Sequence, residues 1–357
     1  MENTAGLVER LTAAARTARA PEADRDGHAY WALVEELAVG AGGEEPLRLG
    51  SALLDSTEPL EREVGCDLVA RAADGHESVR AGAATALIAL AGAETRADVL
   101  ESLVTGLDRT EDPRALPVLL RLARHEGAGV RRGVAMALGS VGGGRSDGEA
   151  VRVLLRLTRD EAAGVRNWAA FSLGTQLDHD TADIRDALWR CAADEDAEVR
   201  HEGARGLARR HDPGAVPLVA HLLEADGPEA FLLEAAEVLG APELLPALRA
   251  HGRDGAGTGE AVSACDPARR ARIEGGAWAV VTELERLRPG IGAALVSPRH
   301  ESVHHMYVTL RDSGDTVYDA AALLARADGA PTRAAELVLS DLAAPAGSAG
   351  SRPEPAE

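Results

Sequence analysis

A histidine and a glutamate stand side by side in the segment AEVRHEGARGLARR, which spans residues 197–210. The imidazole of His201 and the carboxylate of Glu202 both carry atoms that ligate transition metals. A site for two metal ions needs several such ligands converging from different elements, so one pair is at most a fraction of a site. The pattern of the whole chain therefore decides whether this pair has a chemical role.

A second histidine–glutamate combination occurs in SPRHESVHHMYVTL, residues 297–310. His300, Glu301 and His304 have the H-E-x-x-H spacing, which on a helix directs two imidazoles at one zinc ion and a carboxylate at its bound water. Pro298 and the β-branched and aromatic residues that follow favour a strand instead. The sequence therefore predicts a polar strand of a small hairpin that turns at RDSGD, with zinc hydrolysis as the alternative.

The composition narrows the class of protein. Hydrophobic residues make up 45% of the 357 positions but aromatic residues only 3%, and the 58 acids against 38 bases leave a net charge of −20. This acidity disfavours wholesale nucleic-acid binding, which needs clustered positive charge. Three cysteines without metal-ligand spacing, no signal peptide and no apolar run of membrane length predict a cytoplasmic protein.

Four segments share one pattern: VRAGAATAL from Val79, VRRGVAMAL from Val130, VRNWAAFSL from Val165 and VRHEGARGL from Val199. The first, sixth and ninth positions are Val, Ala and Leu in all four, which places them on one face of a helix. The last two intervals are 35 and 34 residues, whereas the first is 51 and needs an additional helix. A period of this length is typical of a solenoid.

Further amphipathic segments lie between these four, and Asp112-Pro113 and Asp212-Pro213 are signals for helix starts. The combined D-P…L-L…V-R…A-L-G pattern resembles HEAT-repeat proteins, specifically the short bacterial repeats named after phycobilisome lyases. The resemblance implies an all-α fold, a right-handed α-solenoid of about seven helix pairs. A small C-terminal α+β appendage is expected to follow it.

Changes in composition suggest the domain boundaries. The sequence predicts an N-terminal helical cap over residues 1–45, a HEAT-like array over 46–252 and a glycine-rich break over 253–265. A helix, a hairpin and a second helix are expected over 266–344, and a disordered tail over 345–357.

The second position of the repeated segments is always arginine. Each of these arginines follows an acidic residue by a few positions, which predicts a ladder of charge-assisted hydrogen bonds that tie each turn between helices to its neighbour. A row of arginines that binds an anionic partner is the alternative. The ladder residues are Arg80, Arg131, Arg166 and Arg200.

By resemblance to HEAT folds, the third and fourth positions begin the second helix of each pair, which lines the concave face. One HEAT family, the deoxyhypusine hydroxylases, builds a di-iron site from His-Glu pairs at this phase in four repeats, whereas this chain has one such pair. We therefore predict a partner-binding surface in place of a metal site, with the alternative that Trp168 only fills a gap between small neighbours. The predicted binding residues are Arg132, Asn167, Trp168, His201, Glu202 and Arg205.

These features favour a non-catalytic scaffold that needs no cofactor and binds another protein through a basic or neutral-polar face of that partner. The repeat family's name implies one alternative, a phycobilin-lyase-like enzyme or a chaperone for a chromophore-bearing protein. A HEAT-type DNA glycosylase is another alternative, which the charge balance disfavours.

Overall fold

A computed structural model describes residues 4–18, 28–40, 43–142, 144–250, 258–297, 306–311 and 316–343. The chain divides into two compact units, Met1–Gly203 and Ala204–Glu357. The boundary falls inside one helix, Ala197–Arg209. The predicted tail over 345–357 lies outside the described residues.

The first unit starts with α1 (Thr4–Ala18) and α2 (His28–Gly40) and continues as pairs of helices. The first helices of the pairs are α3 (Glu44–Leu54), α5 (Glu77–Ala91), α7 (Leu116–Leu122), α9 (Glu149–Leu157) and α11 (Ala182–Cys191). The second helices are α4 (Pro59–Gly75), α6 (Ala97–Thr110), α8 (Ala128–Val141), α10 (Ala163–Phe171) and α12 (Ala197–Arg209).

The helices of the first unit form two layers. Helices α4, α6, α8 and α10 pack against one another in chain order. Helices α3, α5, α7, α9 and α11 follow one another on the other side, where α5 contacts the 3-10 turn Pro113–Ala115 that leads into α7. The predicted leucine column lies between them, since Leu87, Leu138 and Leu173 are all fully buried. This sequential packing confirms the predicted all-α solenoid.

One of the four repeated segments lies in the other layer. Val79 is on α5, a first helix, whereas Val130, Val165 and Val199 are on the second helices α8, α10 and α12. The 51-residue interval therefore runs from a first helix to the second helix of the next pair, and the alignment of all four segments in one layer is wrong. Both kinds of helix need an apolar stripe, so they share the Val–Ala–Leu pattern.

The second unit continues the pairing with α13 (Ala215–Asp226), α14 (Ala230–Leu239), α15 (Leu245–Ala250) and α16 (Thr258–Cys265). Helices α3 to α16 thus form seven consecutive pairs within the described residues. Residues 258–265, assigned to the glycine-rich break in the sequence, form α16, and its Ala261 and Cys265 are buried.

The C-terminal part of the second unit is the predicted α+β appendage. It contains α17 (Pro267–Leu287), the strands β1 (Ala293–Val296), β2 (Tyr307–Leu310) and β3 (Thr316–Asp319), and then α18 (Ala320–Arg326) and α19 (Pro331–Ala343). The strands form one antiparallel sheet in the order β1-β2-β3, which is one strand more than the predicted hairpin. Val308 and Leu310 of β2 share a core with Val280 of α17.

Two glycines allow α3 and α4 to cross closely. A Cβ on Gly65 would lie 2.9 Å from the carbonyl oxygen of Gly50 and 2.9 Å from Leu54 Cδ2. No side chain fits between the two backbones without moving one of the helices.

Replacing Gly65 by alanine is expected to lower the free energy of unfolding by about 1–3 kcal/mol, the usual cost of overfilling a packed contact. Urea unfolding followed by circular dichroism measures the change. Gly75 at the end of the same helix has no atom within 4 Å of the corresponding position. Gly75→Ala should therefore leave stability unchanged or raise it by up to about 1 kcal/mol, and equal effects of the two substitutions would contradict the close crossing.

Candidate functional site

Arg131 ties the turn before its own helix to the turn of the next repeat. Its guanidinium donates two parallel hydrogen bonds to the carboxylate of Asp160, at 2.7 and 2.8 Å. The Nη1 group donates to the carbonyl oxygens of His125 and Glu126, at 3.0 and 2.7 Å. We call an arginine bound to its own turn and to the acid of the next turn a rung.

Arg166 forms the next rung with nearly the same geometry. It donates to the two carboxylate oxygens of Asp194 at 2.8 and 2.7 Å, and to the carbonyls of Asp160 and Glu161 at 3.0 and 3.1 Å. The side chains of Arg166 and Asp194 are only 12% and 14% exposed. Bidentate, partly desolvated pairs of this kind are the strong and directional ones.

The aspartates of the rungs also order their own turns. Asp160 accepts a hydrogen bond from the amide of Ala162, and Asp194 one from the amide of Asp196, each at 3.0 Å. The hydrogen bond from Arg166 lowers the pKa of the Asp194 carboxyl. Burial would raise the pKa of Asp160, but the hydrogen bond from Arg131 and the other favourable contacts outweigh it and the pKa is lowered.

Arg80 makes its contacts between turns in the layer of first helices, not in the layer of Arg131 and Arg166. It lies on the first helix α5, where its Nε donates to the carbonyl of Ala73 at 3.2 Å and its Nη1 donates to Glu111 at 2.9 Å. Arg200, in contrast, holds its own turn as the rung arginines do, with Nη1 donating to two carbonyls at 3.1 and 2.9 Å.

The residue that takes the place of Arg80 in the ladder is Arg62 on α4, which the sequence reasoning missed. Its Nε donates to Glu94 at 2.7 Å, and its Nη1 donates to the carbonyls of Ser56 and Thr57 at 2.9 and 3.1 Å. Arg62 precedes Arg131 by 69 residues, which is two repeat lengths. This spacing is the signal that could have identified it.

Helix α6 has no arginine at the rung position, and the next turn has no acid at the position that would bind such an arginine. Leu100 stands where the other second helices carry arginine. In the next turn, the position of the rung acid is occupied by His125, whose Nδ1 accepts the amide of Gly127 at 3.0 Å. The histidine keeps the turn-ordering hydrogen bond, and the rung position carries no carboxylate.

The second helices expose one stripe each, at positions that repeat every four residues along the helix. These stripes are in the same phase on α6, α8 and α10 and lie side by side because the three helices pack in order. We call this surface the open face. It consists of Glu101, Thr105 and Arg109 on α6, of Arg132, Met136 and Ser140 on α8, and of Asn167, Phe171 and Thr175 on α10 and its continuation, with Trp168 beside Asn167.

The open face has an apolar centre between polar rows. Met136 and Phe171 are half-buried at its middle, and the Trp168 ring meets the Phe171 ring edge to face with 5.3 Å between the ring centroids. Arg132 is exposed and makes no hydrogen bond or ion pair with the described residues. An apolar centre with a polar rim is the anatomy of a protein-binding site.

Two polar atoms on α10 and its continuation lack hydrogen bonds. Asn167 Oδ1 and Thr175 Oγ1 are enclosed, and neither has a partner among the described residues. Thr175 lies in a π-helical turn, Ser172–Gln176, that continues α10. An enclosed polar atom without a partner costs about 1–3 kcal/mol, and π-turns are frequent at functional sites.

The open face ends before α12. His201 and Glu202, which the sequence predicts on the binding surface, are only 6% and 3% exposed, so they do not line an open surface. Arg205 has partners in the second unit, where its Nε lies 2.8 Å from Glu234 and its guanidinium stacks over Phe231. Of the six residues predicted to form the binding surface, three lie together on the open face: Arg132, Asn167 and Trp168.

At its other end the open face stops at α4. The positions on α4 that correspond to its stripe include Glu63 and Asp67, and both are buried. The N-terminal helices α1 and α2 pack on α4 there, and the hydroxyl of Tyr30 donates to Asp67 at 2.6 Å. The open face is therefore limited to three helices.

A row of exposed acids lies in the turns that lead into α8, α10 and α12. Glu126, Glu161 and Glu195 lie five residues before Arg131, Arg166 and Arg200, respectively, each in the turn that leads into a second helix. Glu161 and Glu195 are 86% and 93% exposed. The row repeats with the spacing of packed helices, roughly 10 Å.

The metal-binding hypotheses find no support in the described residues. Within these residues no three His, Cys, Asp or Glu side chains cluster as metal ligands would. His300, Glu301 and His304 lie outside the described residues. Burial raises the pKa of the Cys191 and Cys265 thiols to about 12.

Comparisons with known proteins identify the repeats. The family model for HEAT repeats matches residues 67–174 and again residues 153–240. This region is an array of HEAT repeats. The match is to HEAT repeats in general, and no curated protein matches the chain. Among the described residues, no helix is long and apolar enough to cross a bilayer.

Solved structures resemble the chain at the level of fold. The Escherichia coli protein YibA is 21% identical, with 74% of this chain and 97% of YibA covered and a TM-score of 0.51. An engineered protein is 17% identical over 81% of this chain and 82% of its own, with a TM-score of 0.48. A designed armadillo repeat protein in complex with the peptide (KR)4 is 15% identical over 55% of this chain and 98% of its own, with a TM-score of 0.40.

Arg166→Ala is expected to lower the free energy of unfolding at neutral pH by about 1–3 kcal/mol, because Asp194 and two carbonyls lose their donor. The rung holds the pKa of Asp194 below its ordinary value of 3.8. Its stabilisation is therefore present above that pH and lost as the pH falls below it. The difference between wild type and variant in urea unfolding should shrink at about pH 3.

Arg145→Ala is the matched control, since the Arg145–Asp147 pair is 77% and 70% exposed. It should change the stability little at either pH, because exposed ion pairs contribute little. An Arg166→Ala effect as small as the control, or one that persists unchanged in acid, would contradict the structural role of the rung.

Proposed function

We propose that the chain is a non-catalytic scaffold that binds a segment of another protein on the open face. The observation that carries this proposal is the layout of that face, in which Met136, Phe171 and Trp168 form an apolar centre between polar rows. Stacked helix pairs present such a surface on a semi-rigid support, which lowers the entropy lost on binding.

The aromatic pair on α10 favours a partner that brings an apolar anchor. Asn167 Oδ1 beside this pair is enclosed and has no hydrogen-bond partner among the described residues, so a donor of the partner would reach it only after the Asn167 side chain turns outward. The neighbouring Trp168 and Phe171 would contribute contact area at little cost in side-chain entropy. We therefore expect the strongest part of the interface to lie over α10.

The charges favour a partner with a basic segment beside its apolar anchor. Glu126 and Glu161 lie in the turns that lead into α8 and α10 of the open face, Glu195 continues the row at α12, and the chain has a net charge of −20. Exposed carboxylates add modestly to affinity but accelerate association with cationic partners at low salt. Arg132 would meet an acidic or polar group on the same segment.

Peptides selected from a random display library on the full chain should carry lysine or arginine beside an aromatic or aliphatic residue. Phe171→Ala and Trp168→Ala should weaken their binding about 10-fold or more, as expected for central aromatic anchors. Glu161→Gln combined with Glu195→Gln should weaken it about 2- to 10-fold at low salt and less at high salt.

Matched controls are available in the first-helix layer. Trp189 is an exposed tryptophan on α11, and Glu149 is an exposed acid on α9. Trp189→Ala and Glu149→Gln should leave peptide binding unchanged. Selection of acidic peptides, or equal losses for the Trp168 and Trp189 variants in chains with wild-type circular dichroism, would overturn the proposal.

A further inference from the structure

The second unit contains a cleft between α17 and α18 that the scaffold function does not use. Arg269, Arg272 and Ile273 of α17 line one wall, and Leu324 and Ala325 of α18 line the other. The cleft has a volume of about 520 Å³. Small-molecule sites usually occupy about 300–1,000 Å³.

The shape of the cleft follows from small residues at its ends. Gly276 lets the two helices touch at one end, since a Cβ there would lie 2.7 Å from Leu324 Cδ1. Ala325 and Gly329 are exposed at the other end and leave it open. Ile273, Leu324 and Ala325 supply the apolar part of the lining, and Arg269 and Arg272 supply its charged part.

The arginines occupy positions that oppose the stability of α17. Asp266 caps this helix by accepting the amides of Ala268 and Arg269 at 2.9 and 3.4 Å. Arg269 and Arg270 lie in or directly after the first turn, where the helix dipole disfavours positive charge, and Arg272 follows in the second turn. The local stability of α17 therefore does not explain these arginines, whereas contact with a bound anion would.

These arginines are also available to a ligand. Arg272 is exposed and has no hydrogen bond or ion pair with the described residues. Arg269 donates to the hydroxyl of Ser263 at 2.6 Å and has no carboxylate partner among them. In a chain with a net charge of −20, the pair forms a local positive site beside apolar walls.

We propose that the α17–α18 cleft binds a small organic anion with an apolar body, such as a carboxylate on an aliphatic chain. Arg269 and Arg272 would hold the carboxylate through charge-assisted hydrogen bonds. The chain would lie against Ile273, Leu324 and Ala325. A protein partner fits less well, because a specific interface needs about 20–30 residues on each side.

The test uses the full chain and the fluorescent sulfonate 1-anilinonaphthalene-8-sulfonate as the probe. We expect saturable binding of one probe per chain, displacement by octanoate, and no displacement by octanol at the same concentration. Displacement by an acetylated Leu-Glu-Leu peptide amide but not by octanoate would show that the occupant is an acidic peptide, and would overturn the proposal.

Variants locate the site. Arg269→Gln combined with Arg272→Gln should weaken probe binding about 10-fold or more, since both charge-assisted contacts are lost. Arg270→Gln is the control, because Arg270 is an exposed neighbour on the same helix that does not line the cleft. It should change the affinity about 2-fold at most, through long-range charge alone.

A second pair of variants tests the apolar wall. Ala325→Glu places a carboxylate in the cleft and should abolish probe binding, whereas Ala322→Glu adds the same charge at an exposed position of α18 outside the cleft and should not. Circular dichroism confirms that each variant is folded. Absence of saturable binding to the wild-type chain, or equal losses for variant and control, would overturn the proposal.

Discussion

The bidentate arginine–aspartate contact between successive turns sets the geometry on which the rest of the first unit depends. Each repeat contacts only its neighbours, so the orientation of a helix pair is decided at a single junction. The apolar layers there are built largely of alanine, valine and leucine, and their burial is a non-directional force. The hydrogen bonds of Arg131 and Arg166 are directional and fix both the turn before the helix and the turn after it.

The junction between α6 and α8 shows what happens where this contact is missing. Leu100 replaces the arginine and His125 replaces the acid, so neither an unpaired cation nor an unpaired carboxylate results. The two helices are tied at another point, where the hydroxyl of Ser140 donates to Asp108 at 2.6 Å. Burial raises the pKa of the Asp108 carboxyl, which shows how strongly this acid is withdrawn from water. A polar contact is thus kept at this junction, although it lies at a different position along the helices.

The sequence predicted the repeat architecture because its period is a local property of the chain. The sequence analysis assigned Arg80 to the wrong layer of helices. First and second helices carry the same apolar stripe, so the stripe does not indicate which layer a helix belongs to. Arg62 was missed because the Val before the arginine is replaced by Glu61. The two-repeat spacing to Arg131, and not the local pattern, identifies it.

The candidate site was predicted only in part, for two different reasons. The sequence singled out the first positions of the second helices, and Met136 and Phe171 lie one turn further along the same stripes, where helical periodicity could have found them. The burial of His201 and Glu202 could not be predicted in this way. The exposure of a stripe position depends on what packs over the helix, as α1 and α2 do over α4, and the helix's own sequence does not contain that information.

The rungs connect stability with the proposed binding surface. The carbonyls of Glu126, Glu161 and Glu195 accept hydrogen bonds from Arg131, Arg166 and Arg200, respectively, whereas their side chains are exposed. Asp160 binds Arg131 through both carboxylate oxygens, whereas Glu161 accepts one longer hydrogen bond from the same arginine, at 3.3 Å, and its side chain stays 86% exposed. Asp194 and Glu195 divide in the same way around Arg166, with Glu195 4.0 Å from the guanidinium and 93% exposed. Each of these two turns therefore has one carboxylate bound within the fold and, next to it, one exposed carboxylate. The contact that sets the distance between repeats also sets the distance between the carboxylates that would meet a basic partner.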